Sequence, residues 1–356
     1  MATTMPPEEL STTTDPRART SWAIHDPVIR LREWASDRVH GLPDPPVAAK
    51  IGSVSSCQLQ FHDPSGLLSR EHAMLTPLAG GGWRIRDLGS KNGLRRDGER
   101  RPDFKLRPGL EITIGGLRLV AESAQLVGLR AVLCRFLGWA PERQADVDNA
   151  LRSLRDWADH DLPLVLIGEG DLTPVVSRLH ALALGPSVGL IVYDDGDPAA
   201  AIDGAQRGVL CVMMHRQAPM VRLVELLRET EQGTRPQLVL CTGSSSEAAA
   251  LSVKLGRCAV ISLPDLSTRK DELERVVQES ALDIASELEA PTPGFTMHDL
   301  QRFREIEFKS IADIEETVRR VIAMRTWGVT AGAARLGIAH TSLSTWARRP
   351  NRKLST

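Results

Sequence analysis

No apolar run in this chain is long enough to cross a bilayer. The longest, Val209 to Met214, falls far short of the roughly 20 residues a spanning helix needs. Residues 1–20 have no apolar signal-peptide core, so the chain is expected to be cytoplasmic and to have no membrane partner. The five cysteines (Cys57, Cys134, Cys211, Cys241 and Cys258) contain no C-x-x-C pair and mostly lie in apolar runs, where a thiol packs as a small hydrophobe. Neither disulfides nor a metal site is expected. Acidic residues are missing altogether from Thr317 to Thr356, a stretch that holds Arg319, Arg320, Arg325, Arg335, Arg348, Arg349, Arg352 and Lys353.

What is present fits a multidomain globular protein: 356 residues, 42% apolar and 25% charged. The formal net charge of −1 conceals segregation, because Arg84 to Arg107 holds nine bases against four acids and the last forty residues only bases. The remainder is therefore acidic. A basic end on an acidic body points to a polyanion contacted there.

Residues 1–24, rich in Thr, Pro and Glu, bury too little to offset ordering entropy and are expected to be a disordered tail. Residues 25–125 carry short alternating runs (Gln58 to Phe61, Trp83 to Arg86, Glu111 to Val120) broken by Gly, Pro and Asp, the pattern of an all-β sandwich. Residues 126–160 have helical spacing, with Val147, Leu151, Leu154 and Trp157 on one face, and read as a helical linker. Over residues 161–290 buried-strand candidates (Leu164 to Ile167, Val188 to Tyr193, Val209 to Met213, Leu238 to Cys241, Ala259 to Leu263) alternate with helices. That alternation predicts an α/β parallel sheet covered on both faces. Residues 291–356 read as all-α.

Within the sandwich, Ser69-Arg70-Glu71-His72 is followed by Asp87-Leu88-Gly89-Ser90-Lys91-Asn92-Gly93 and then by Leu110-Glu111-Ile112-Thr113-Ile114-Gly115. This resembles the forkhead-associated (FHA) domain, with its spaced S-R-x-H, S-x-N-G and I-x-I-G elements. The resemblance implies a phosphothreonine-containing protein as partner. Ser69 and Arg70 match phosphate-binding positions, Asn92 matches the position holding the peptide backbone, and His72 matches a loop buttress. A phosphate carries nearly two negative charges and several acceptors, which suits hydroxyl and guanidinium donors. Ser53 after Gly52 departs from the family's phosphate-facing arginine, and Leu94 departs from its usual hydroxyl residue. Lys91, Arg95 and Arg96 are read either as electrostatic compensation or as a solvated face.

Leu164-Val165-Leu166-Ile167-Gly168-Glu169-Gly170, Ala205-Gln206-Arg207-Gly208-Val209-Leu210-Cys211-Val212-Met213-Met214 and Leu263-Pro264-Asp265-Leu266 follow one another in order. They resemble the AAA+ core of bacterial sigma-54-dependent activators. The chemistry of that core is missing, because a phosphate loop needs G-x-x-x-x-G-K-[ST] and no such lysine follows Gly168. Met213 and Met214 stand where the resemblance implies the magnesium-binding acids, and they cannot serve that role. A degenerate core, no catalytic residue, no cofactor and no enzyme activity are therefore expected. Asp194, Asp195 and Asp197 read either as a turn or as part of a ligand edge.

At the end, Val329 to Ile338 leads through Gly337 into Ala339 to Arg349, with Leu343 and Trp346 spaced to pack backward. This resembles the Fis-type helix-turn-helix that closes the same activators, and it implies DNA as partner and a homo-oligomer. His340, Thr341, Ser342, Ser344 and Thr345 are the candidates for base contacts. Arg348, Arg349, Arg352 and Lys353 are the candidates for phosphate contacts. The sequence thus reads as a DNA-binding transcriptional regulator with an FHA sensor and an inert ATPase-like core. The alternative is an FHA phosphothreonine-dependent interaction scaffold in Ser/Thr kinase signalling.

Overall fold

Short strands whose side chains alternate between buried and exposed build the N-terminal part. They are β1 (Val28–Glu33), β2 (Val39–Gly41), β3 (Ala49–Gly52), β4 (Leu59–Gln60), β5 (Ala73–Pro77), β6 (Trp83–Asp87), β7 (Leu94–Arg96), β8 (Glu99–Arg100), β9 (Asp103–Lys105), β10 (Glu111–Ile114) and β11 (Leu117–Ser123). The computed structural model describes residues 26–348 except 161, 186, 215–219, 232–233 and 292–294. The expected tail, residues 1–24, and the candidates Arg349, Arg352 and Lys353 therefore lie outside the described residues. One sheet runs β2-β1-β11-β10-β7-β8 and the other β4-β3-β5-β6-β9. Leu31, Ile51, Leu75, Ile85, Leu94, Ile112 and Ile114 fill the space between them, as a sandwich core requires.

α1 (Ala124–Leu137), capped by Ser123, and α2 (Gln144–His160) follow. They lead into β12 (Leu164–Ile167), α3 (Thr173–Ala183), β13 (Leu190–Tyr193), α4 (Pro198–Gly204), β14 (Val209–Met213), α5 (Met220–Glu229), β15 (Gln237–Thr242), α6 (Ser245–Leu255) and β16 (Ala259–Ser262). All ladders of this sheet are parallel, in the order β13-β14-β15-β12-β16. Strand alternation divides its side chains between two cores. Leu164, Leu166, Cys211, Val239 and Ile261 face α1, α2 and α3, while Val165, Leu210, Val212 and Leu240 face α4, α5 and α6. Asp194 and Asp195 lie in a bend after β13, as the turn reading has it, and Asp197 caps helix α4, which the strand–helix alternation did not suggest. Asp197 Oδ1 accepts the Ala199 amide, and Pro198 occupies the first helical position, where its missing N–H costs nothing.

α7 (Leu273–Glu287), α8 (Met297–Glu305), α9 (Ile311–Arg335) and α10 (His340–Arg348) complete the chain. Val276, Ile284, Ile314, Val318, Leu343 and Trp346 belong to the same core as α1, α2 and α3, so the helical segment 126–160 is packed on the sheet rather than spanning a gap. Arg178 of α3 donates to Asp283 of α7 (2.6 Å) and to the buried Glu315 of α9 (3.4 Å), fastening the C-terminal helices to the core. Burial raises the Glu315 carboxyl above its usual range, against the pull of Arg178 and Arg135. The α9 backbone breaks at Gly328, whose φ of +74° lies in the region glycine tolerates best. The result is two helices followed by α10, joined through Gly337. Gly332 packs so closely on Ala323 that an added Cβ would stand 2.8 Å from its carbonyl oxygen.

Candidate functional site

The loops at one end of the sandwich bring the sequence-predicted residues together. Gly52 makes this possible, because any Cβ there would stand 1.9 Å from the Arg70 carbonyl oxygen. With that approach, the Ser53 amide donates to the Ser69 carbonyl (3.2 Å) and fixes the start of the 69–72 turn. The Lys91 amide donates to Ser69 Oγ (3.2 Å), so the two loops are joined at the serine while its hydroxyl hydrogen stays free to donate. Arg70 and Lys91 are exposed, and neither has a carboxylate partner among the described residues. Ser69 is half-buried.

His72 is fully buried beneath these loops. Its Nδ1 accepts the Ser69 amide (3.2 Å), which places the ring proton on Nε2. That atom lies 3.2 Å from the Gly93 carbonyl and 3.0 Å from Ser90 Oγ. Ser90 Oγ in turn donates to Asp87 (2.7 Å) and accepts the Gly93 amide (3.0 Å). Partial burial opposes the charge on Asp87, but hydrogen bonds from Ser90 and Gly89 hold its carboxyl below the usual range. His72 is the buttress its sequence position suggested. Asn92 uses its side-chain amide to hold the Leu67 carbonyl (2.7 Å), which leaves its Oδ1 to accept from a peptide backbone.

Asp63 was missed by the sequence reading, although Asp63-Pro64-Ser65-Gly66 is a turn signal. Its carboxylate accepts the amides of Ser65 (3.0 Å), Leu67 (3.1 Å) and Gly116 (2.9 Å) and the Ser65 hydroxyl (2.6 Å), tying the Ser69 loop to the β10–β11 turn. Desolvation works against the carboxylate, yet these bonds lower its pKa from 3.8 to about 2. A depressed carboxyl stabilises the fold above its unfolded pKa and loses that contribution as pH falls through the folded one. Wild type and Asp63→Asn are therefore expected to differ most in unfolding midpoint above pH 4 and to converge as pH falls from 3.8 towards 2. Unfolding curves across that range test this.

The sequence of residues 49–115 matches the FHA domain family. This part of the sandwich is an FHA domain. The second FHA domain of the Mycobacterium tuberculosis ABC transporter Rv1747 is similar to it at 38% identity, over 24% of this chain and 75% of that one, with a TM-score of 0.19. The first FHA domain of Rv1747 is 27% identical, over 28% and 97%, with a TM-score of 0.23. Mycobacterium tuberculosis EmbR, solved in complex with a low-affinity phosphopeptide, is 27% identical over 26% of this chain and 24% of its own, with a TM-score of 0.24. No curated protein matches the chain.

Outside the FHA domain, a cleft of about 720 Å³ opens at the carboxyl ends of β12, β14 and β15, lined by residues 168–173, Val192, Asp194, Met213 and residues 241–243. This is where ligands bind in open parallel sheets. Asp171 Oδ1 accepts the Thr173 amide (2.8 Å), so a carboxylate of the chain itself occupies the start of α3. Gly170 lies against Ser310, whose side chain fills the space a Cβ would take. Met213 is buried at the cleft floor, 3.9 Å from Thr173 Oγ1. Arg269, three residues past Leu266, is buried and donates to the carbonyls of Phe136 (2.7 Å) and Arg135 (2.9 Å) at the end of α1. Burial lowers its pKa despite the neighbouring Glu272. Among the described residues no cluster of His, Cys, Asp or Glu is arranged to hold a metal ion, and no helix is long and apolar enough to cross a membrane.

On α10, His340, Thr341, Ser342, Thr345 and Arg348 are exposed and Ser344 is half-buried, while Leu343 and Trp346 pack inward. The structure corrects the charge argument for this end. Arg319 pairs with Glu287, Arg320 with Glu316 and Arg325 with Asp299, each at 2.6 Å, and Arg335 lies 4.0 Å from Glu289. Four of the eight bases are thus matched by acids from just before the acid-free stretch, from α7 and α8, or from the residues just after α7, partners that a count from Thr317 onward omits. Arg348 has no acidic partner among the described residues.

Proposed function

We propose that the protein is a cytoplasmic DNA-binding transcriptional regulator resembling sigma-54-dependent activators, in which the FHA domain reads a phosphothreonine protein and the parallel-sheet core hydrolyses no ATP. The observation that carries the sensing half is the carboxylate-free group of the half-buried Ser69 and the exposed Arg70 and Lys91 on loops braced by His72. The FHA match at residues 49–115 supports it. The inert core rests on the Asp171 carboxylate at α3, the Ser310 contact beneath Gly170 and the buried Met213. Calorimetry with magnesium-ATP is expected to give neither micromolar binding nor phosphate release; micromolar affinity with steady phosphate release would refute this part.

Support for DNA binding comes from α10, whose polar face is exposed after a glycine-centred turn while Leu343 and Trp346 anchor it. The protein acts by occupying a site or recruiting a partner, as a homo-oligomer whose two-fold symmetry the DNA site shares. Binding to selected duplexes is expected to exceed binding to random duplexes by roughly 10³ or more in physiological salt. The pair Arg348→Ala, Arg349→Ala is expected to weaken binding on all duplexes and to flatten the log-affinity against log-salt slope by about 0.9 for each phosphate that is no longer neutralised. A selected-to-random ratio near one would favour the second reading, an FHA scaffold in Ser/Thr kinase signalling. The pairing of Arg319, Arg320, Arg325 and Arg335 favours that second reading, since it leaves less free positive charge at this end.

A further inference from the structure

The edge hairpin β7–β8 places Arg95 directly opposite Arg100. Like charges facing each other across a ladder are destabilising, and both side chains are exposed. Neither has a carboxylate partner among the described residues. Arg95 donates only to the Gly98 carbonyl (3.2 Å), while the nearby acids go elsewhere, Glu99 to Arg101 (3.0 Å) and Asp97 to Arg155 (3.3 Å). The Arg100 guanidinium lies across Gly93, with Nε 2.8 Å from where a Cβ on that glycine would stand. Gly93 directly follows Asn92, so the Arg100 guanidinium stands beside the end of the loop that carries Lys91 and Asn92.

We propose that Arg100 and Arg95 form a second anion-binding subsite, which takes an acidic or second phosphorylated side chain flanking the phosphothreonine of the bound peptide. This rests on the phosphopeptide reading above and adds a preference that Ser69, Arg70 and Asn92 do not supply. Two facing guanidinium groups with no acid between them are relieved of repulsion when an anion enters. An anion offers each of them the charge-assisted bond it lacks in the free protein.

The test uses the full chain and a phosphothreonine peptide library in which one flanking position at a time is Ala, Glu or a second phosphothreonine. Wild type is expected to bind the best Glu- or phosphothreonine-flanked peptide about tenfold more tightly than its Ala-flanked counterpart. Arg100→Ala is expected to erase that gap while leaving the Ala-flanked affinity unchanged within about twofold, which also shows the domain folded. Arg95→Ala is expected to narrow it. The Glu and phosphothreonine arms tell which anion the subsite prefers. Persistence of the gap in Arg100→Ala, or equal loss on all peptides, overturns the subsite alone. Failure of wild type to bind any phosphothreonine peptide overturns the phosphopeptide reading and the subsite with it.

Discussion

Arg32→Ala is expected to lower the unfolding free energy by about 3–5 kcal/mol, because it leaves two buried carboxylates without their main cation. Arg32 is fully buried on β1. Its Nε donates to Glu122 Oε1 (2.6 Å), and its two terminal nitrogens form a fork on Asp148 of α2, one of them at 3.0 Å. It also donates to the carbonyls of Glu33 (3.0 Å) and Ser36 (3.1 Å). Burial alone would disfavour the guanidinium charge, but the hydrogen bonds and charges of Asp148 and Glu122 outweigh it and raise the pKa. Asp148 holds the Ala35 amide as well (2.7 Å), so this one cluster joins the FHA sandwich to the helices on the parallel sheet. Glu122 retains Arg30 (2.8 Å), which makes Asp148 the more severely orphaned acid in the variant. Arg32→Met combined with Asp148→Leu should therefore recover much of the loss, since both charges then leave together. Denaturant unfolding followed by two probes, one in each half, should show coincident transitions in wild type and separated ones in Arg32→Ala. Coincident, unshifted curves in the variant would show that the joint contributes nothing.

The sequence made that joint hard to see. In Val28–Glu33 the arginines read as the solvent-facing members of an alternating strand, since unpaired arginines are rarely buried. The acid that permits burial of Arg32 is 116 positions away. Local patterns, by contrast, carried the elements well. The apolar runs Leu164–Ile167 and Val209–Met213 are strands with those bounds, and Gln144–His160 is a helix whose apolar stripe faces the core. The motif Ser69 to His72 located the loop and its buttress, because backbone-directed hydrogen bonds within a few residues leave a local signature. Arg100 left none, since its position over Gly93 depends on hairpin register. Charge segregation misled for a related reason. Arg319 and Arg325 meet Glu287 and Asp299, which are distant in the chain but adjacent once α9 packs on α7 and α8.

Arg70→Ala is expected to weaken phosphothreonine-peptide binding by at least about tenfold, the worth of one charge-assisted hydrogen bond. Combined with Ser69→Ala, the loss should reach roughly a hundredfold if the two donors act independently. The Arg70 side chain is exposed and the fold depends on His72, Ser90 and the Ser69 backbone, so Arg70→Ala should change stability little, whereas Ser69→Ala also removes the bond that Ser69 Oγ accepts from the Lys91 amide. Arg70→Lys should not restore affinity fully, because an ammonium cannot offer the planar fork that grips two phosphate oxygens. Affinity in wild type should also fall as pH drops through the second phosphate pKa of about 6, where the ligand loses part of its charge. The complementary change is Ser53→Arg. Ser53 is exposed, and its amide is already bonded to the Ser69 carbonyl, so the backbone aims this position at the same loop. A guanidinium there should tighten phosphopeptide binding by about tenfold without altering the affinity for the unphosphorylated peptide. Titrations of phosphorylated and unphosphorylated peptide against the four variants check the set. Equal binding of both peptides by wild type would place the contact surface elsewhere on the sandwich, and no change in Ser53→Arg would mean that Arg70 and Lys91 already saturate the phosphate.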